Sequence, residues 1–345
     1  MASTAETEAM RLAFAAARET TNTLPNPQVG CVLIDAASQI IAIGHHRGAG
    51  HAHAEVDALN QAGERAHGAT AVVTLEPCKH TGRTGPCAEA LIAAGVSRVV
   101  YSAADPNAEG AGGAEVLRAA GIDVEAGLLA TEGEQLIAVW AHLHRARRPF
   151  VTWKFAAGIA GRSAALDGTS QWITSEESRA DVHRLRAESD AIVVGTGTVL
   201  ADNPRLTTRN EFGELAAKQP LRVVVGEREI PHDFNVHSTE APTMFLSQRD
   251  PHAVLAELSE LPIHHVWLEG GPTLAGAWLD AGVIDRVIGY LAPTMLGSGL
   301  AAVTTSATTL SDKHDFVYRD VTQIGPDLRV TLTAKNAEQS TGKEQ

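Results

Sequence analysis

The chain is 345 residues long, 44% hydrophobic and 20% charged, with a formal net charge of −13. That length exceeds one ordinary core and predicts two domains of a globular protein. The acidic balance argues against a general nucleic-acid binder, which carries a basic face, and no apolar run approaches the roughly 18 residues of a membrane span.

Residues 6–20 read as an amphipathic helix that ends before Pro25-Asn26-Pro27. The Ala- and Glu-rich start lacks the basic-then-apolar order of a secretion signal, so the cytoplasm is the expected address. Residues 29–35 and 40–44 read as strands joined by a short turn. A helix over 53–64, a strand over 70–75, a helix over 86–94 and a strand over 96–102 follow, then a helix over 114–120 and a short strand over 122–125. This alternation predicts a sheet covered by helices, an α/β fold. Arg145-Ala146-Arg147-Arg148-Pro149 is charged, ends in Pro and marks a boundary. It predicts one domain over 1–146 and a second over 147–334, with a polar tail over 335–345 expected to be disordered. In the second domain strands are predicted at 150–156, 191–194, 221–225, 243–247, 265–269, 286–291, 316–324 and 328–333. Helices are predicted at 180–188, 252–260 and 274–281.

Chemistry concentrates in His53-Ala54-Glu55, Glu76-Pro77-Cys78 and Cys87. Catalytic zinc takes three protein ligands and leaves a fourth position for water, whose pKa it lowers towards neutrality. Glu55, two residues from His53, is placed to move that water's proton to a leaving amine without binding metal itself. The general zinc-deaminase signature is H-x-E followed by P-C-x-x-C. Its second half is stretched here, with eight residues between Cys78 and Cys87. His53 and Glu55 fall at one predicted helix start, and Cys78 and Cys87 bracket another. Helix N-termini favour thiolate. A purely structural zinc would take a fourth Cys or His ligand, for which His80 is available. His51 lacks the H-x-E relation and is assigned to the surface or the substrate side, while His142/His144 and His264-His265 read as ordinary. Three cysteines make no disulfide framework, and Cys31, within an apolar run, reads as a small buried hydrophobe.

The second domain carries two glycine turns, Gly195-Thr196-Gly197-Thr198 and Gly270-Gly271-Pro272. Each follows a strand. Pro suits a first helical turn, where bare N–H groups can hold phosphate. Neither turn is the Rossmann G-x-G-x-x-G.

Taken together, the two halves resemble the bifunctional riboflavin-biosynthesis deaminase–reductase family over about residues 6–334. In the first half Pro25-Asn26-Pro27-Gln28-Val29-Gly30, His53-Ala54-Glu55-Val56, Thr74-Leu75-Glu76-Pro77-Cys78, Gly82-Arg83-Thr84, Pro86-Cys87 and Asp105-Pro106-Asn107 carry it. In the second half Ser170-Gln171-Trp172-Ile173-Thr174, Thr198 through Asp202, Leu206-Thr207, Arg209 and Glu269 through Gly276 carry it. The resemblance implies a cytidine-deaminase-like α/β/α layered domain followed by a dihydrofolate-reductase-like α/β domain. It implies zinc-dependent loss of the 2-amino group from 2,5-diamino-6-ribosylamino-4(3H)-pyrimidinone 5′-phosphate, then NADPH-dependent reduction of the ribosyl chain to ribityl.

By residue matching, His53, Cys78 and Cys87 hold Zn2+, Glu55 shuttles the proton, and Asn26, His46, Arg83, Asp105 and Asn107 contact the deaminase substrate. NADPH lies at Ala156, Trp172, Thr198, Asp202 and the turn Gly271, Pro272, Thr273, Leu274, Ala275, Gly276 and Ala277. Lys154 and Asp202 are also placed beside the reacting ribose. The reductase substrate meets Ser170, Arg186, Leu206, Arg209 and Glu269, and the two arginines suit a phosphate. The implied partner is a phosphorylated pyrimidine rather than nucleic acid or membrane, and a homo-oligomer, dimer or tetramer, is expected. Two departures stand out. Gly85 replaces the usual Pro, and Gly158-Ile159-Ala160-Gly161 lacks the family's acidic residue at Ala160. The second departure leaves open a deaminase whose reductase half is impaired. An RNA-editing base deaminase fits less well, because single-strand binding needs a basic groove and stacking aromatics, and aromatics are only 4%.

Overall fold

A computed structural model describes residues 2–20, 23–80, 85–210 and 212–335. The chain divides into two units, Met1–Ala146 and Arg147–Gln345. The polar tail expected over 335–345 lies, after Lys335, outside the described residues. Among the described residues, no helix is long and apolar enough to cross a membrane.

The first unit runs α1 (Thr4–Ala17), β1 (Gly30–Ile34), β2 (Ile40–His45), α2 (Ala54–Ala62), β3 (Thr70–Leu75), α3 (Cys87–Ala93), β4 (Arg98–Ala103), α4 (Gly113–Ala119), β5 (Asp123–Ala126), α5 (Ala130–Leu136) and α6 (Ala138–Arg145). Its sheet has the order β2-β1-β3-β4-β5. β1 pairs antiparallel with both neighbours, whereas β3, β4 and β5 are parallel. Alternation along β1 divides the core. Val32 and Ile34 meet Met10, Ala13 and Phe14 of α1, while Cys31 and Leu33 join Ala54, Ala58, Leu91 and Leu117 from the helices of the other face. Each fully buried Leu or Val side chain in such a core contributes about 1.5–3 kcal/mol. Ser3 caps α1 through a reciprocal capping box with Glu6. Gly44 sets the seat of α2, since a Cβ there would lie 2.4 Å from the Ala54 carbonyl oxygen. Helix α2 therefore rests directly on β2, which fixes where His53 and Glu55 emerge.

The second unit runs β6 (Phe150–Gly158), α7 (Glu176–Arg186), β7 (Ala191–Gly195), α8 (Thr196–Asp202), β8 (Leu221–Val225), β9 (Thr243–Leu246), α9 (Pro251–Ser259), β10 (His265–Leu268), α10 (Pro272–Asp280), β11 (Arg286–Ala292), β12 (Phe316–Ile324) and β13 (Asp327–Ala334). The sheet order is β12-β13-β11-β6-β10-β7-β8-β9. Strands β11 through β9 in that order are parallel, and the β12–β13 hairpin adds antiparallel on β11. Continuous apolar runs such as Ile192-Val193-Val194 are what a parallel sheet covered on both faces requires. Val193 packs with α9 and α10, and Ile192 and Val194 pack with Val182 and Val199 of α7 and α8.

Three helices depart from the local expectation. The turn expected at Gly195-Thr196-Gly197-Thr198, whose Thr and Gly residues have weak helix propensity, is in its last three residues the start of a helix that runs to Asp202. Val199, fully buried in the core, holds it helical as α8. Helices α5 and α6 are short, abut at Ile137 and bury Gly133, Trp140 and Ala141 against the first sheet's core.

Candidate active sites

In the first unit His53 is the N-cap of α2, Glu55 lies in its first turn, Cys78 follows β3, and Cys87 opens α3. His53 Nδ1 lies 3.2 Å from Cys87 Sγ and 3.7 Å from Cys78 Sγ. All three ligand atoms fall within 4.8 Å of one another, the only such group among the described residues. Tetrahedral zinc, with sulfur at about 2.3 Å and nitrogen at about 2.0–2.1 Å, separates its ligand atoms by about 3.3–3.8 Å. The donor set fits. The Cys87 N–H donates to Cys78 Sγ at 3.4 Å. Against burial, the Cys87 side chain above all, then His53 and that backbone contact, hold the Cys78 thiol well below its ordinary value. Hydrogen bonding with Cys78 also raises His53.

Glu55 is 4% exposed, and its side chain meets Cys87. Burial, and then the charge of Cys78, push its carboxyl up to about 7. His53, Cys78 and Glu55 open on a cavity of about 190 Å3, whose other walls include Asn26, His46, Glu76, Asp105, Asn107, Trp140 and His144. His46 Nδ1 lies 2.9 Å from the Ala52 carbonyl, which only accepts, so the proton sits on Nδ1. Its Nε2 then accepts from Asn26 Nδ2 at 2.9 Å, leaving the Asn26 amide oxygen for other partners. Burial lowers His46, in keeping with a neutral ring. Burial likewise pushes Asp105 up to about 6.

Arg83 lies outside the described residues. His51 is exposed and stands apart from the ligand group. His265 is a core residue, its ring nitrogens 2.8 Å from Thr152 Oγ1 and 3.1 Å from the Glu188 carbonyl. Nothing local in the sequence marks Trp140 and His144. They reach the cavity on α6, with rings T-shaped at 4.7 Å.

The second unit holds a cavity of about 690 Å3 where the ends of β6, β7 and β10 meet α7 and α8. The structure brings together there Lys154, Ala156, Ser170, Arg186, Thr198, Asp202, Leu206, Arg209, Glu269, Gly271 and Pro272. Arg186 Nη2 donates to both Glu269 oxygens at 2.9 and 2.7 Å, and Nη1 donates to the Thr207 carbonyl. Trp267 Nε1 donates to the same carboxylate at 2.6 Å. Burial raises the Glu269 carboxyl, but the charges of Arg186 and Lys154 outweigh it and hold it at about 2. Burial and the Arg186 charge lower Lys154 against the pull of Glu269. His183, one turn before Arg186, also lines the cavity, held near 4 by burial and then Arg186. Its Nδ1 is buried without a hydrogen-bond partner among the described residues.

The two glycine turns are tied together, for the Gly271 N–H donates to Thr198 Oγ1 at 3.1 Å. Gly270 has φ +152°, a conformation that other residues rarely adopt. The chain then enters α10 with Pro at its first position, leaving the helix start bare towards the cavity. A glycine turn feeding a helix start suits the phosphates of NADPH. Of the remaining positions, Thr273 and Ala277 are exposed and Leu274 and Ala275 pack into the core. Gly276 lets α10 approach the Thr304 carbonyl, which a Cβ would meet at 1.7 Å. None of these five lines the cavity. Trp172 also stands outside the lining, 71% exposed with the Arg179 guanidinium 4.3 Å over its ring.

A family model described as the cytidine and deoxycytidylate deaminase zinc-binding region matches residues 3–103. One described as the RibD C-terminal domain matches residues 149–330. The riboflavin biosynthesis protein RibD of Mycobacterium tuberculosis (strain H37Rv) is 50% identical, over 91% of this chain and 92% of that protein. RibD of Escherichia coli K12 is 40% identical, over 90% and 94%. The crystal structure of a diaminohydroxyphosphoribosylaminopyrimidine deaminase/5-amino-6-(5-phosphoribosylamino)uracil reductase from Thermotoga maritima superposes with TM-score 0.80 at 31% identity, covering 96% of this chain and 99% of that one. The ligand set, the glycine-lined cavity and these matches converge: the chain belongs to the RibD family of bifunctional riboflavin-biosynthesis enzymes, with a zinc-dependent deaminase unit and an NADPH-using reductase unit.

Proposed function

We propose that the first unit hydrolyses the 2-amino group of 2,5-diamino-6-ribosylamino-4(3H)-pyrimidinone 5′-phosphate, and that the second reduces the ribosyl chain of the product to ribityl. The observation that carries the first step is Glu55, buried beside three groups of zinc-ligand chemistry yet not one of them. Zinc, when bound to His53, Cys78 and Cys87, supplies electrophilic activation of water for the hydrolysis. Glu55 takes a proton from the attacking water and passes one to the departing amine, so that the C–N bond breaks and ammonia leaves. Asn26, oriented by His46, presents its amide oxygen to the pyrimidinone edge, and Asp105, Asn107 and Arg83 complete the contacts.

In the second unit NADPH, when bound along the Thr198 and Gly271–Pro272 turns, supplies a hydride. The hydride goes to the anomeric carbon and a proton to the ring oxygen released as that C–O bond breaks. Lys154 and Asp202 hold that proton, while Glu269 keeps Lys154 and Arg186 in place. Arg209 is the freer phosphate ligand, since only its Nη1 is engaged, by the Gly213 carbonyl, whereas both Nη atoms of Arg186 already serve Glu269 and Thr207. Ser170 and Leu206 close around the sugar. Ala160 supports a working reductase, because it is exposed in the turn after β6 and takes no part in the cavity lining.

A homo-oligomer in the cytoplasm completes the reading. Tyr318 and Val321, 68% and 57% exposed on the edge strand β12, offer a second copy an apolar surface. The test is mass analysis of the product. Zinc-loaded enzyme without NADPH should convert the diamino substrate to the amino-uracil compound, and an unchanged substrate mass contradicts the proposal.

A further inference from the structure

Glu76 directly follows β3, two residues before Cys78, and is 8% exposed. No Lys, Arg or His among the described residues pairs with it; its carboxylate is satisfied by backbone alone. Oε1 accepts from Gly112 N–H at 3.0 Å and Ala114 N–H at 3.1 Å, and Oε2 accepts from Asp105 N–H at 3.3 Å. Asp105 and Gly112 lie in the segment between β4 and α4, which carries Asp105 and Asn107 into the zinc cavity, and Ala114 lies in the first turn of α4. Two further contacts press that segment onto the ligand loop. Lys79 N–H donates to the Gly110 carbonyl at 3.1 Å, and a Cβ at Gly113 would meet the Pro77 carbonyl oxygen at 1.8 Å. Asp105 Oδ1 in turn accepts from Asn107 N–H at 2.8 Å, so the pair moves as one turn.

A carboxylate can serve this segment where no other side chain of its length can. It offers acceptors on both oxygens, and three donors converge on it. The strand that delivers a zinc ligand thereby sets the height of the turn that meets the pyrimidinone. We propose that Glu76 is a positioning residue of the deaminase, fixing Asp105 and Asn107 at their working distance from the zinc ligands. This rests on the deaminase reading above; Glu76 lies in the cavity wall, outside the zinc-ligand group, with both oxygens engaged by backbone donors.

The test is Glu76→Gln in the full-length, zinc-loaded enzyme. The amide keeps one accepting oxygen but turns an N–H2 towards a backbone donor, so at least one end of the clamp opens. The deaminase KM should rise about tenfold, with kcat within about threefold and zinc content unchanged, as expected for a lost buried hydrogen bond that acts on binding. Reductase activity, in the other unit, should not change and reports that the chain has folded. Combined with Asn107→Ala, the two effects on KM should be less than additive, because both act through one turn. Hydrogen exchange across residues 105–114 should quicken in the variant.

Loss of zinc or of kcat at unchanged KM would assign Glu76 to the metal site and overturn the proposal. Unchanged KM and exchange, or strictly additive effects, would do the same. A wild-type enzyme that releases no ammonia from the diamino substrate defeats the deaminase reading instead, and the exchange measurement still decides whether Glu76 clamps the turn.

Discussion

Replacing Glu269 by Gln removes one of two carboxylates, Asp202 being the other, from a cavity that also holds Lys154, Arg186, Arg205 and Arg209. The Glu269 carboxyl is held at about 2 against its ordinary 4.5, which at 1.36 kcal/mol per decade corresponds to about 3 kcal/mol. Its side chain is only 13% exposed, so solvent screening removes little of that. Because the folded-state value is depressed, this stability is fully present above pH 4.5 and is lost as pH falls through 2. Gln mimics the protonated form. At pH 7 the Glu269→Gln reductase unit should therefore unfold in urea with about 3 kcal/mol less stability, within the range for breaking a buried pair from one side. Trp267, which donates to Glu269, and Trp153 and Trp278 make intrinsic fluorescence a suitable probe. Arg186→Gln combined with Glu269→Gln should lose less than the sum of the two single changes. A loss below about 1 kcal/mol for Glu269→Gln would refute the view that a charged Glu269 balances this cavity.

Glu55→Gln should lower deaminase kcat by about a hundredfold or more while zinc stays bound, since general acid–base catalysis contributes on that scale; zinc loss, measured by atomic absorption, would mean that Glu55 is a ligand. Arg209→Ala should raise the reductase KM by about tenfold or more, the scale of a charge-assisted contact to phosphate, and an unchanged KM removes it from the phosphate site. His265, 3% exposed, is held near 4 against an ordinary 6.5 by burial and then Arg286. Its neutral form therefore contributes stability above pH 6.5 that is lost as pH falls through 4, in all about 3 kcal/mol. Chemical unfolding of the wild type and of a His265→Gln variant, which does not titrate, should diverge in slope over that window. Parallel curves would contradict it.

Much of the deaminase site was legible because its chemistry is local. His53 and Glu55 sit within one helix start, and Cys87 opens another, so spacing and capping signals place them. Cys31 was legible as core because it lies in a continuous apolar run, and the strand it forms is buried along its whole length. Trp140 and His144 were not, since they reach the cavity from a helix more than 60 residues beyond Cys78, and no periodicity joins the two. In the reductase unit the glycine turns were visible, but their linkage through Thr198 depends on β7 and β10 lying side by side in the sheet. Arg186 illustrates the limit. Its residue type suggests a phosphate clamp, yet only the fold reveals that Glu269, 83 positions on, holds its guanidinium. His183 was hidden likewise, because its meaning comes from the cations around it.

The central claim, two successive activities on one phosphorylated pyrimidine, is tested most directly by stoichiometry. Zinc-loaded enzyme given the diamino pyrimidinone phosphate and excess NADPH should oxidise one NADPH for each ammonia released. Ammonia without NADPH oxidation would leave the second unit without its proposed reaction. The absence of both would contradict the account as a whole.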